Sequence, residues 1–221
     1  MPKAILFDLD GTLLDRDSTV QELITAQYDR FRPVLSQINP EAYVQRVLEL
    51  DAHGHRDKVS VYQLAAAEFG LPSELAPELT ADFWSSYHAF CRAYPEVNSV
   101  LLELRSRGLK LGVITNGSVQ IQEAVVQRLG VSDLLDTVLI SEREGTRKPS
   151  PEIFERAVHR LGVRSEEAWF VGDHPNVDVE GATAAGLTAV WRRNENWPEP
   201  RSQCHRVSGL NELLPLLVSE E

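Results

Sequence analysis

Basic residues are scarce in this 221-residue chain: 22 Lys+Arg stand against 33 Asp+Glu, a formal net charge of −11 at neutral pH. A nucleic-acid binder needs basic surface to meet phosphates, so this balance argues against one, and equally against an anionic membrane surface. Cysteine is also scarce. Cys91 and Cys204 cannot frame a disulfide scaffold for a chain this long, and they read as free thiols in a reducing compartment. No stretch approaches the roughly 18 apolar residues of a membrane-spanning helix. The apolar run near the start, Ala4–Phe7, meets Asp8 after four residues, too short for a signal peptide. Repeats and low-complexity segments are absent. The expected setting is cytoplasmic.

A hydrophobic fraction of 43% with 25% charged residues is that of an ordinary folded chain with a real core. At roughly 150 residues per domain, the length fits one domain carrying a smaller insert. Five short apolar runs punctuate it: Ala4–Phe7, Leu109–Ile114, Val138–Ile140, Ala168–Val171 and Leu187–Trp191. Continuous rather than alternating runs suit strands buried on both faces, as in a parallel sheet. Helical patterns alternate with the later runs. Val119–Leu129 stops at Gly130; Pro151–Leu161 starts with Ser150 as candidate cap and stops at Gly162; Val177–Ala185 stops at Gly186. The fold class predicted is α/β, a doubly wound, Rossmann-like parallel sheet.

Residues 17–94 differ, with helical spacing throughout. One apolar stripe runs through Val20, Leu23, Ile24 and Phe31, a second through Tyr43, Val47 and Leu50. A third joins Val61, Tyr62, Ala65 and Phe69, and a fourth Leu79, Phe83, Tyr87 and Phe90. Breakers at Pro33, Pro40, Gly54 and Pro72 divide the four. The expectation is a helical-bundle insert at 17–94 within an α/β core made of 1–16 and 95–221, with hinges near residue 16 and Pro95.

Ligands of an open parallel sheet bind beyond the carboxyl ends of its strands. After the first run comes Asp8-Leu9-Asp10-Gly11-Thr12, and after the second Thr115-Asn116-Gly117-Ser118. Past the third lies Arg147-Lys148-Pro149, and after the fourth Gly172-Asp173, with Asp178 five residues on. Each piece alone is ordinary turn chemistry; their shared place after successive strands is not. Asp8 and Asp10 would repel each other unless a cation intervenes, and oxygen-only ligands suit Mg²⁺. Asp173 reads as a metal ligand and Asp178 as its supporting partner. Ser118 can cap the next helix, whose N-terminus with Thr115, Asn116 and Gly117 suits an anion. Lys148 can neutralise carboxylates and a phosphate together. Elsewhere, His53-Gly54-His55 reads as a turn, Arg56 and Lys58 as solvated helix ends, and Trp191, Arg192, Arg193 and Trp197 as packing over the sheet edge.

In this order the pieces resemble the four motifs of the haloacid dehalogenase-like (HAD) hydrolases. Asp8 to Thr12 is similar to the complete Asp-x-Asp-Gly-Thr signature, Thr115 to the second motif, Lys148 in its Lys-Pro context to the third, and Gly172, Asp173 and Asp178 to the fourth. His174-Pro175 stands where many relatives carry Ser, Thr or small residues. The resemblance spans residues 2 to about 192 and implies that 17–94 is a helical cap, closing over substrate. It further implies Mg²⁺-dependent hydrolysis of a small phosphomonoester. Asp8 is then the nucleophile that forms an aspartyl phosphate, and Asp10 the acid and base. Asp8, the Asp10 carbonyl and Asp173 hold the metal, with Asp178 beside them. Thr115, Asn116, Gly117 and Lys148 hold the phosphoryl oxygens. A sugar-phosphate mutase and a non-enzymatic binding module are the alternatives. The dehalogenase branch is disfavoured because its members resemble this pattern without the second Asp.

Overall fold

The computed structural model describes residues 1–218. Along the chain, β1 (Ala4–Phe7) is followed by four long helices, α1 (Arg16–Arg30), α2 (Pro40–Asp51), α3 (Lys58–Glu68) and α4 (Leu75–Phe90). Then come α5 (Val97–Ser106), β2 (Lys110–Thr115), α6 (Val119–Arg128), β3 (Thr137–Ile140), α7 (Pro151–Leu161), β4 (Ala168–Gly172), β5 (Thr188–Arg192), β6 (His205–Val207) and α8 (Leu213–Val218). The chain divides into two compact units, 1–15 with 93–221, and 16–92.

The first unit is built on a six-stranded sheet in the order β3-β2-β1-β4-β5-β6, all pairings parallel. All four residues of β1 are buried and apolar, which fits the central place they take between β2 and β4. Leu6 lies opposite Gly112 on one side and Phe170 on the other. The chain runs outward through β2 and β3, then returns to the far side of β1 and runs outward through β4, β5 and β6. The order therefore reverses between β1 and β4, the point at which open parallel sheets place their ligands. One layer of the core joins Leu6, Ile114, Phe154, Phe170 and Trp191 under α7.

Two expectations in this unit need correction. The segment 177–185 is not one α-helix. Pro175–Glu180 forms a wide π-type turn that passes into a single helical turn, Gly181–Ala184. His174 caps it, its Nδ1 accepting the N–H groups of Asn176 and Val177, and the turn starts two residues early. The Ser150 side chain does not cap α7; Pro151 alone opens that helix.

In the helical unit, Tyr43 packs 5.7 Å from both Tyr28 and Phe69, and Tyr62 lies edge-on to Phe83. Pro33 lies between the first two long helices, in the first turn of a short helix, Arg32–Leu35, where its missing N–H has no cost. Lys58 is not a solvated helix end. It is buried, paired with Asp51, and its ammonium lies 4.9 Å from the Phe83 ring centre. Arg16 holds the other Asp51 oxygen at 2.8 Å. Burial alone would raise the Asp51 carboxyl, but Arg16 and Lys58 outweigh it and hold it below the usual carboxylate range. Its contribution to stability is thus present at neutral pH and is lost as pH falls through that lowered value. Asp51→Ala takes from buried Lys58 and half-buried Arg16 the carboxylate they share. The expected loss is about 3 kcal/mol, read by urea unfolding at pH 7; a loss below about 0.5 kcal/mol would show the cluster to be solvated.

Candidate active site

The carboxyl ends of β2, β1 and β4 lie side by side, which is what brings distant residues together. Asp8 follows β1 directly, and its N–H donates to the Val171 carbonyl at 2.8 Å, continuing the ladder one residue past the strand. Thr115 ends β2, and Asp173 follows Gly172 at the end of β4. Gly11 turns the chain back with φ +80°, and a Cβ there would lie 2.7 Å from Asp173 Oδ2. A Cβ on Gly172 would lie 2.5 Å from the Asp178 side chain, so only glycine lets Asp178 tuck under the strand end.

Asp8, Asp173 and Asp178 are buried, and one oxygen from each lies within 4.8 Å of the others. Lys148 Nζ bridges two of them, 2.6 Å from Asp8 Oδ1 and 2.7 Å from Asp178 Oδ1. The Asn116 side chain clamps the lysine's own main chain, donating to its carbonyl at 2.9 Å and accepting its N–H at 3.0 Å. Asp178 Oδ2 accepts the His174 N–H at 3.0 Å, so both its oxygens are engaged. Asp173 Oδ2 accepts from Asn194 at 2.8 Å and from the Trp197 indole at 3.1 Å. The Trp191 indole donates to the Asp173 carbonyl at 2.7 Å.

The charges do not balance. Three carboxylates face one ammonium, and each like-charged pair at such a separation costs about 3 kcal/mol at an effective dielectric of 20. Burial, then the neighbouring acids, push the Asp8 carboxyl well above its usual value against the pull of Lys148. Burial and Asp178 push Asp173 up to about 6, against the hydrogen bonds from Asn194 and Trp197. Burial would lower Lys148, but Asp178 and Asp8 reverse that and raise it. Among the described residues, neither Asp8 Oδ2 nor Asp173 Oδ1 accepts a hydrogen bond. Oxygen-only donors, surplus negative charge and two open oxygens fit a hard divalent cation.

The expected residues sort into three places. Asp8, Asp173, Asp178 and Lys148 form one cluster. Asp10, expected at the metal through its main-chain carbonyl, gives no side-chain oxygen to that cluster; its Oδ2 accepts from Gln122 Nε2 at 2.8 Å, and Thr115 Oγ1 accepts from the same nitrogen at 2.5 Å. The Asn116 side chain is engaged by Lys148, and the Gly117 N–H donates to Ser141 Oγ at 3.0 Å. Ser118 caps α6 as expected, accepting the Ile121 N–H.

Gln122 and Asn194 were not anticipated as part of this site, and Trp191, Arg192 and Trp197 were expected only to pack. Arg192 instead donates to the Gly11 carbonyl at 3.0 Å and stacks 3.7 Å over the Tyr94 ring. Gln122 carries a readable signal, being the one polar residue on the buried stripe it forms with Val125 and Val126. Asn194 and Trp197 carry none, because a loop returns them to Asp173 from beyond β5.

A family model described as haloacid dehalogenase-like hydrolase matches residues 2–186. The chain is 33% identical over 213 residues to a glyceraldehyde 3-phosphate phosphatase of Methanopyrus kandleri, covering 91% of this chain and 89% of the relative. It is similar to the crystal structure of a HAD phosphatase from Thermococcus onnurineus, with 31% identity, 97% of both chains covered and a TM-score of 0.67. It is also similar to a 2-haloacid dehalogenase from Pseudomonas syringae pv. Tomato, with 28% identity, full coverage of both chains and a TM-score of 0.64.

Proposed function

This chain belongs to the haloacid dehalogenase-like hydrolases as a phosphatase of phosphomonoesters, and we propose that it hydrolyses small sugar phosphates, trioses first, through an aspartyl phosphate on Asp8. One observation carries the mechanism: Lys148 joins Asp8 to Asp178 inside a buried acid cluster at the reversal of strand order. Asp8 attacks phosphorus, splitting one difficult displacement into two. Asp10 protonates the departing oxygen and then takes a proton from the attacking water. Thr115 and Lys148 face the phosphoryl oxygens, where positioning and electrostatics do most of the work. Asn116 acts on this reading through its clamp on Lys148. Asp8 and Asp173 would hold Mg²⁺, which would supply the positive charge a dianionic substrate needs beside four acids.

Asp10 also separates this reading from dehalogenation. A halide leaves as a stable anion and needs no proton, whereas a sugar alkoxide does. The triose substrate is supported by the Methanopyrus kandleri relative, whose similarity extends over nearly the whole chain. The test is phosphate release from a panel of phosphorylated metabolites, with haloacids as controls, in Mg²⁺ and in EDTA. Triose phosphate cleaved only with metal is the expected outcome. Halide release insensitive to EDTA would overturn the reading.

Metal addition has a pH signature. Asp8 and Asp173 bind protons more tightly folded than unfolded, so their contribution favours the metal-free fold as pH falls and is lost as pH rises through about 6 for Asp173. Mg²⁺ competes with those protons. At 100 times its dissociation constant it should stabilise by about 2.7 kcal/mol at pH 7.5, and this gain should fade below about pH 6. Thermal melts at the two pH values check it; a gain that grows toward acid would contradict it.

A further inference from the structure

Gln122 is a buried amide that no step above uses. Its nitrogen faces a carboxylate oxygen and a hydroxyl oxygen at once, Asp10 Oδ2 and Thr115 Oγ1. Such a group must present its NH₂, since an amide oxygen beside a carboxylate would set two acceptors together. Both hydrogens are thereby assigned. Thr115 accepts through Oγ1, so its own proton is left to point elsewhere. Asp10 accepts through Oδ2, so a proton carried by this acid sits on Oδ1. Packing does not ask for an amide here, because Val125 and Val126 share the stripe and an apolar side chain would serve it. Room for the amide comes from Gly117, where a Cβ would lie 2.8 Å from Gln122 Cγ and 3.0 Å from Cδ.

The geometry points to Gln122 as a positioning residue that fixes which Asp10 oxygen carries the proton to the leaving group and turns the Thr115 hydroxyl outward as a donor. This rests on the phosphatase reading above. In the step concerned, a bond forms between Asp8 and phosphorus as the ester P–O bond breaks. The electron pair goes to the departing oxygen, and that oxygen takes the proton from Asp10 Oδ1. A misplaced acid harms this step in proportion to the leaving group's need for a proton.

The experiment compares kcat/KM, which isolates the first half-reaction, for an alkyl ester (a triose phosphate) and an aryl ester (p-nitrophenyl phosphate). Gln122→Met keeps the volume and removes the amide. The alkyl ester should lose on the order of 10²-fold and the aryl ester about threefold, because nitrophenolate leaves without a proton. Gly117→Ala keeps the amide but pushes it aside, and should give the same asymmetry more weakly; it serves alone if Gln122→Met does not fold. Equal losses on both esters, or no loss, would overturn the inference while leaving the phosphatase reading intact. A wild-type protein that cleaves neither ester overturns that reading, and this inference falls with it.

Discussion

Asp8→Asn should remove at least about 10⁴-fold of the phosphatase activity while leaving the fold in place. The loss is large because the carboxylate is the attacking group on this reading, and an amide of the same shape cannot form the acyl phosphate. The fold should persist because the substitution deletes one charge from an overcrowded cluster: Asp8 already lies well above its usual value through burial and through Asp178, Asp173 and Asp10. Lys148 keeps Asp178 as a partner at 2.7 Å. The two measurements are phosphate release with Mg²⁺ and a melting curve. Activity within about tenfold of wild type would mean that another group attacks phosphorus.

Lys148→Met should harm both stability and turnover. The lysine is buried between Asp8 and an Asp178 with no exposed surface. Deleting one partner of such a cluster leaves an uncompensated buried charge, at about 3–5 kcal/mol. At roughly 2–4 °C per kcal/mol for a chain of this size, the melting temperature should fall by about 6–20 °C. The site should also lose on the order of 10²-fold in kcat through weaker stabilisation of the transferring phosphoryl group. The double variant Lys148→Met/Asp178→Asn should melt above the single one, since it deletes the stranded charge as well. A double variant no better than the single would show that Asp178 keeps its charge by another route.

What the sequence carried and what it did not divide along a physical line. β1 is legible because a strand buried on both faces must be apolar throughout, and Ala4–Phe7 is. The residues after β1, β2 and β4 follow, because a parallel sheet aligns its carboxyl ends. The clamp of Asn116 on Lys148 was not legible, since it joins two loops whose separation along the chain says nothing of their approach. The same holds for Asn194 and Trp197 on Asp173. Lys58 misled because a charged residue at a helix start is solvated unless a partner is buried with it, and Asp51 lies one helix earlier. The turn at 175–180 misled because the periodicity of Val177–Ala185 is blind to an imidazole that caps the backbone ahead of it.

The short central strand has a bearing on how the protein is made. Ala4 pairs with Lys110 on one side and Ala168 on the other, 164 residues along the chain. On a polypeptide emerging N-terminus first, β1 has no flanking strand until β2 appears, and no second one until β4. The intervening unit 16–92 has its own internal core and can fold meanwhile. Asp8 thus leaves the ribosome ahead of the residues that surround it, and they close around it later. Such distant pairings are intrinsically slow to form. The cluster of Asp8, Lys148, Asp173 and Asp178 is complete only once β4 and the turn after it have emerged.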